Sequence, residues 1–181
     1  MIVSRNEVHG VVRKAALGAG LPGGTADDFA NAASWVEARG LAGLPLALNG
    51  IQSNESGGQG YAAVFDRIAA GETPVQTEHA NLLLVGFAAG AAVAYDLGFV
   101  IEWAGCRVDV GPNGYLLTGD DMNGPASVSA GTELPMTPKL AEIVVDANIW
   151  ARANKMAAAY YVPATDASRL GGAGAGVNDN D

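Results

Sequence analysis

Residues 99–118 read FVIEWAGCRVDVGPNGYLLT. Apolar side chains recur there at every second place: Phe99, Ile101 and Trp103 alternate with Val100 and Glu102, and Cys106, Val108 and Val110 alternate with Arg107 and Asp109. Successive side chains of an extended chain point to opposite faces, so a period of two predicts strands with one buried face. The links, Ala104-Gly105 and Gly111-Pro112-Asn113-Gly114, are short and made of turn formers, which predicts antiparallel hairpins. ASVSA (126–130) and AEIVV (141–145) can each add a strand, giving an antiparallel meander of three to five strands over 98–145.

Upstream the period is that of helices. Ser4 and Glu7 make the S-x-x-E pattern in which each side chain satisfies the other's free backbone N–H, with Val3 and Val8 placed to staple the helix start. Val8, Val11, Val12, Ala15 and Ala16 then form a buried stripe that ends at Gly18 or Gly20. Thr25 with Asp28 repeats the capping pattern, Phe29, Ala32, Ala33 and Val36 share a face, and Gly40 stops a second helix, so the first part is a helical hairpin. Short and longer helices are expected at Tyr61–Ala70 and Leu82–Leu97. Before them, LAGLPLALNGIQSNESGGQG (41–60) carries Pro45, Asn49-Gly50 and a Ser/Gly cluster, which predicts an irregular loop able to cover a site. After the strands Asp146 caps a helix whose Ile149, Ala153, Met156, Ala157 and Tyr160 share a face, ended by Pro163.

Helices, then strands, then a helix is an α+β order and not a β-α-β alternation. The expected arrangement is a single domain: 1–97 mainly helical, a 98–145 meander packed on those helices, a C-terminal helix (146–170) returning across the meander, and a Gly-rich tail at 171–181.

Composition narrows the function. With 181 residues, 49% of them hydrophobic and 16% charged, the chain can build a sizeable core. A net charge of −9 with ten basic residues argues against nucleic acid or an anionic membrane as partner. The longest apolar run, Leu82–Tyr95, falls short of the roughly twenty residues a membrane span needs. No secretory signal is expected in MIVSRNEVHG, and Cys106, the single cysteine, rules out an intramolecular disulfide, so a cytoplasmic location is expected. Gly86 and Gly90 form a G-x-x-x-G spacing that brings another backbone close, within the fold or in a homo-oligomer.

The densest polar set is YYVPATDASRLGGAGAGVNDND (160–181). Arg169 can hold a carboxylate or phosphate bidentately while the amides of Gly172, Gly174 and Gly176 assist, with Tyr161, Thr165, Ser168, Asn178 and Asp179 completing a site for a small anionic ligand. The alternative is that Thr165 caps a helical turn and Arg169 pairs with Asp166 or a terminal carboxylate. Gly171 and Gly176 lack the Lys-Ser/Thr of a phosphate loop and no strand precedes them, so no nucleotide cofactor is expected. No metal is expected either: His9 and His79 are isolated, and the acidic GDDMNG (119–124) and NDND (178–181) lack the spacing of a calcium loop. Cys106 sits at an inward strand position and reads as an inert thiol; no G-x-S-x-G elbow is present. Catalytic residues stay unassigned. The readings are a small-molecule (anion) binding or accessory protein of metabolism, an enzyme using Tyr161, Asp166 or Arg169, and a homo-oligomeric structural protein joined through the glycine-bearing helix.

MIVSRNEV (1–8), WVEARGL (35–41) and YVPATDASRLGGAGAGVNDND (161–181) together resemble an uncharacterised bacterial family, domain of unknown function 3726. The resemblance implies a bacterial cytoplasmic protein and brings no activity, cofactor or ligand. KAALGAGLPGGTADDFANAASWVEARGL (14–41) is similar to the N-terminal helical hairpin of the malate and sulfolactate dehydrogenase family. In that family Ser-His-Gly follows the RGL segment; here AGLPL (42–46) follows, without the catalytic histidine.

Overall fold

The computed structural model describes residues 1–53, 57–132 and 135–161. Strand β1 (Ile2–Val3) leads into helix α1 (Arg5–Gly18), followed by α2 (Gly23–Glu37), α3 (Gly43–Ser53) and α4 (Gly57–Ala69). Strand β2 (Val75–Ala80) and helix α5 (Leu83–Tyr95) precede β3 (Gly98–Trp103), β4 (Cys106–Gly111), β5 (Gly114–Thr118) and β6 (Gly124–Gly131), and β7 (Ile143–Val144) and α6 (Ala147–Ala158) complete the order. The fold is α+β.

Helix α1 starts as its sequence dictates. The Ser4 hydroxyl accepts from the Glu7 amide, the Glu7 carboxylate accepts from the Ser4 amide at 2.7 Å, and Val8, Val11, Val12, Ala15 and Ala16 are buried. Such a cap is worth about 1 kcal/mol. Helix α2 departs from expectation at its start: Pro22, not Thr25, is the N-cap, and no side chain caps the helix. Proline already holds the φ that a helix entrance needs, and it leaves Thr25 inside the first turn. Phe29, Ala32, Ala33 and Val36 are buried as the period requires.

The stretch expected to be a loop at 41–60 folds largely into α3 and the start of α4, with residues 54–56 outside the described set. Pro45 falls in the first turn of α3, where no N–H is needed for the helix ladder. Leu44, Ala47, Leu48 and Ile51, at i, i+3, i+4 and i+7, are buried and override the turn signal of Asn49-Gly50.

The large sheet has the order β2-β6-β3-β4-β5, antiparallel throughout. Strands β3, β4 and β5 form the expected meander, with Phe99 opposite Val110 and Ile101 opposite Val108. Strand β6 does not extend it at the β5 edge. It returns to the other side of β3, where Ile101 faces Val128, so the most apolar strand acquires a neighbour on each side. Ile143 and Val144 of AEIVV, which was expected to prolong the sheet, instead form β7, which pairs with β1 (Val3 opposite Ile143) and buries the Val3 and Ile143 side chains. Strand β2 was not expected, because VQTEHA has apolar residues only at its ends; those two are its buried positions.

Helices α5 and α4 cover the apolar face of the sheet, and α2 packs behind α5. Leu83, Leu84, Val85, Phe87, Ala88, Ala89 and Ala92 are buried between these layers. Gly86 presses on the α2 backbone: a Cβ there would lie 2.5 Å from the Ala32 carbonyl oxygen, whereas one at Gly90 would meet nothing within 4 Å. Helix α6, capped by Asp146 through the Asn148 and Ile149 amides, packs on α1 and α3 and does not return across the sheet. With α4 and α5 already on the sheet, its short apolar stripe, Ala153 and Ala157, closes the outer side of α1. The helix ends at Ala158, so Tyr160 lies beyond it and is exposed; Pro163 is outside the described residues.

Candidate functional site

Of the sequence-predicted site only Tyr161 lies among the described residues; Thr165, Asp166, Ser168, Arg169, Gly172, Gly174, Gly176, Asn178 and Asp179 fall outside them. Tyr161 is exposed at the end of a groove between α1 and α6, with the Lys14 ammonium 5.4 Å from its ring centre. His9 lies on α1 and His79 on β2. Cys106 is a free, buried thiol, pushed up by burial and by the charges of Asp120 and Asp121, the reverse of what a nucleophile needs. Among the described residues no three His, Cys, Asp or Glu side chains gather as metal ligands would.

The chemically unusual place is the turn after α2, built by WVEARGL. Gly40 adopts φ +75°, a left-handed conformation that reverses the chain from α2 toward α3. Glu37, in the last turn of α2, sends its carboxylate across this reversal and accepts the Leu44 amide at 2.6 Å, capping the N-terminus of α3. Burial pushes the Glu37 carboxyl up, and the Leu44 and Gly43 amides only partly oppose it.

Arg39 lies on the same turn with 6% of its surface exposed. Its guanidinium sits 3.5 Å from the centre of the Trp35 ring, and Nη1 donates to the Trp35 carbonyl at 3.1 Å. Residues four apart on a helix end share a face, which is why Trp35 and Arg39 stack. Among the described residues Nε and Nη2 of Arg39 have no hydrogen-bond acceptor. The guanidinium is held down to a pKa of about 10, first by burial and then by the like charge of Arg5, with Tyr115 opposing. A buried charge with two unanswered donors costs more than the roughly 1–3 kcal/mol of a neutral unsatisfied group.

The walls of this corner come from distant parts of the chain. The Trp35 indole N–H donates to the Pro112 carbonyl at 3.3 Å, and its ring meets that of Tyr115 at 6.1 Å between centres. Tyr115 is tied in turn to Thr137, whose hydroxyl accepts from the Tyr115 amide at 3.0 Å and donates to its carbonyl at 2.9 Å. The segment 135–140 thus runs from the start of β5 to the turn, where the Leu140 amide donates to the Ala38 carbonyl at 2.8 Å. Gly114 permits the approach, since any Cβ there would strike the Pro135–Thr137 backbone. On the other side of Leu140 opens a groove of about 400 Å³ lined by Glu37, Gly40, Leu41, Pro45, Leu140 and Ile149, among others.

A second recess, of about 350 Å³ between α2, α4 and α5, has the opposite charge. Asp28 and Asp66 stand on its walls, and the Tyr95 hydroxyl donates to Asp66 at 2.6 Å. Asp28 is pushed up by burial and by Asp27 and Asp66. Its polar groups face solvent and none is buried without a partner, so the Arg39 corner is the stronger candidate.

Sequence reasoning passed over Arg39, Arg5 and Tyr115, and it read Trp35 as core or pocket wall in preference to a stacking platform. A signal was present in the Trp-x-x-x-Arg spacing of WVEARGL, which places a guanidinium within reach of an indole at a helix end. The unpaired edge could not be read from it, because it depends on which distant segments close the corner.

Residues 3–57 match the model of a family described as a protein of unknown function (DUF3726). The matched stretch holds Arg5, Trp35, Glu37 and Arg39 and does not reach the C-terminal stretch that carried part of the resemblance. No curated protein and no solved structure matches the chain, and the likeness to malate and sulfolactate dehydrogenases is not shown. Among the described residues no helix is long and apolar enough to cross a membrane.

Proposed function

We propose that this chain, taken as one domain, binds a small anionic molecule and serves as a binding or accessory protein of metabolism. The observation that carries the reading is Arg39: a guanidinium almost fully buried, stacked on Trp35 and repelled by Arg5, whose Nε and Nη2 lack an acceptor among the described residues. Folding leaves such a group unsatisfied at a cost, and an anion that accepts both donors removes it. The C-terminal set around Arg169 is proposed as a separate source of anion contacts. Melting temperature measured with acetate, benzoate, phosphate and sulfate, at ionic strength matched by chloride, tests the reading. At least one of these anions should raise the melting temperature where chloride does not, and the rise should be lost in Arg39→Lys or in Arg169→Ala. If none raises it, the protein is not a binder of simple anions.

A further inference from the structure

The geometry points to a monocarboxylate as the ligand of the Arg39 corner, bound by two parallel hydrogen bonds from Nε and Nη2. This rests on the anion-binding reading above and names the ligand class. One face of the guanidinium is taken by the Trp35 ring, and Nη1 is taken by the Trp35 carbonyl. The two nitrogens left without any acceptor among the described residues, Nε and Nη2, share one edge and present an N–H each in one plane, at the spacing of the two oxygens of a carboxylate. A phosphate or sulfate can take the same edge with two of its oxygens, but its remaining charged oxygens then need donors from other directions. The nearest set of helix amides, at the start of α3, is already occupied by Glu37.

The surroundings select further. Leu140 is shared between the corner and the adjoining groove, whose Leu41, Pro45 and Ile149 give an apolar lining for the remainder of such a molecule. Glu37, Glu142 and Asp146 also line that groove and disfavour a second negative charge, so a dicarboxylate is discriminated against. Arg39 is 6% exposed and the 135–140 segment is bound to its turn, so the proposed route of entry is the movement of that segment off the turn. Its described backbone ties there are few: the Leu140 amide to Ala38 and the Thr137 amide to Asn113, at 2.8 and 3.3 Å.

The test is calorimetric titration of the full chain with acetate, benzoate, succinate, phosphate and sulfate, on wild type, Arg39→Lys and Arg39→Met. Lysine keeps the charge but loses the planar edge, and methionine removes the charge at similar bulk. The expected result is binding of benzoate and acetate, succinate at least tenfold weaker, and at least tenfold weakening of the monocarboxylates in Arg39→Lys. Should Arg39→Met fail to fold, the lysine variant alone carries the comparison. Equal carboxylate affinity in Arg39→Lys and wild type overturns the assignment to this edge. Binding of phosphate or sulfate in preference to carboxylates overturns the ligand class while leaving the anion reading intact. Absence of binding by all five overturns the reading itself.

Discussion

The guanidinium of Arg39 lies flat on the indole of Trp35, 3.5 Å from its centre, and donates Nη1 to the carbonyl of that same residue. One residue thereby fixes both the plane and the rotation of the other, so the free edge is preorganised before any ligand arrives. Preorganisation of this kind is held against stability. Replacing a buried, incompletely paired charge by an apolar side chain of similar volume is often neutral or stabilising by about 1–4 kcal/mol. Arg39→Met should therefore leave the ligand-free protein as stable as wild type or up to about 2 kcal/mol more stable in urea unfolding. A loss of more than about 2 kcal/mol would mean that the guanidinium holds the fold together and is not reserved for a ligand.

Glu37 gives a pH prediction with a definite sign. Its carboxyl is pushed up in the folded protein by burial, above the ordinary value of 4.5 that the unfolded chain keeps. The folded state therefore retains a proton that the unfolded state has released, and the associated stability is fully present below 4.5 and is lost as pH rises through the raised value. Glu37→Gln keeps an oxygen for the Leu44 amide but has nothing to titrate. The melting temperature of Glu37→Gln relative to wild type should accordingly increase with pH across the window that starts near 4.5. A difference that shrinks there would put the charge, and not its burial, in command of this cap.

The two glycines of α5 should respond oppositely to the same substitution. Alanine at Gly86 places a methyl 2.5 Å from the Ala32 carbonyl oxygen, and backbone on both sides must give way, a cost of about 1–3 kcal/mol. Alanine at Gly90 meets open space inside a helix and should stabilise by about 0.5–1 kcal/mol. Chemical denaturation of the two variants checks both signs. If Gly90→Ala destabilises and also changes the sedimentation of the protein, α5 contacts another chain at that glycine.

Much of the helical fold was legible because each signal was local. The Ser4–Glu7 box, the Val8 to Ala16 stripe and the Asp146 cap involve residues within a few places of one another, and all three stand in the structure. The alternation from Phe99 to Val110 gave the meander for the same reason. What was illegible depends on partners far along the chain. VQTEHA becomes a strand against the ladder that β6 supplies, and β6 itself lies at β3, where Val128 stands opposite Ile101. Residues 41–60 misled through their breakers: Pro45 is harmless in a first turn, and the burial of Leu44, Leu48 and Ile51 outweighs the turn signal of Asn49-Gly50. The Arg39 edge is the extreme case, since an unpaired donor is defined by everything that fails to reach it.

Cys106 should be silent in the native protein. It is 5% exposed, and burial together with the Asp120 and Asp121 charges keeps the thiol protonated at pH 8. A thiol reagent should label it at least tenfold more slowly in native buffer than in urea. Equal rates would place the thiol outside the β3–β4 packing, where Trp103 is its cross-strand partner.

Thr137 ties the 135–140 segment to the sheet through one hydroxyl that serves two backbone groups. It accepts from the Tyr115 amide at 3.0 Å and donates to the Tyr115 carbonyl at 2.9 Å, replacing at the β5 edge the two hydrogen bonds a neighbouring strand would make. Valine has the same shape but leaves both Tyr115 groups to solvent or unpaired. Thr137→Val should therefore cost about 1–2 kcal/mol, while Thr137→Ser, which keeps the hydroxyl, should cost much less. Hydrogen exchange separates this from a general loss of stability: protection at Tyr115 and Leu140 should fall in Thr137→Val while the amides of α1, on the far side of α2, keep theirs. Because the proposed route of a carboxylate to Arg39 takes the same segment off the turn, bound benzoate should also dissociate faster from Thr137→Val than from Thr137→Ser. Local exchange that rises with no change in the dissociation rate would show that the ligand reaches Arg39 by a path that does not pass Leu140.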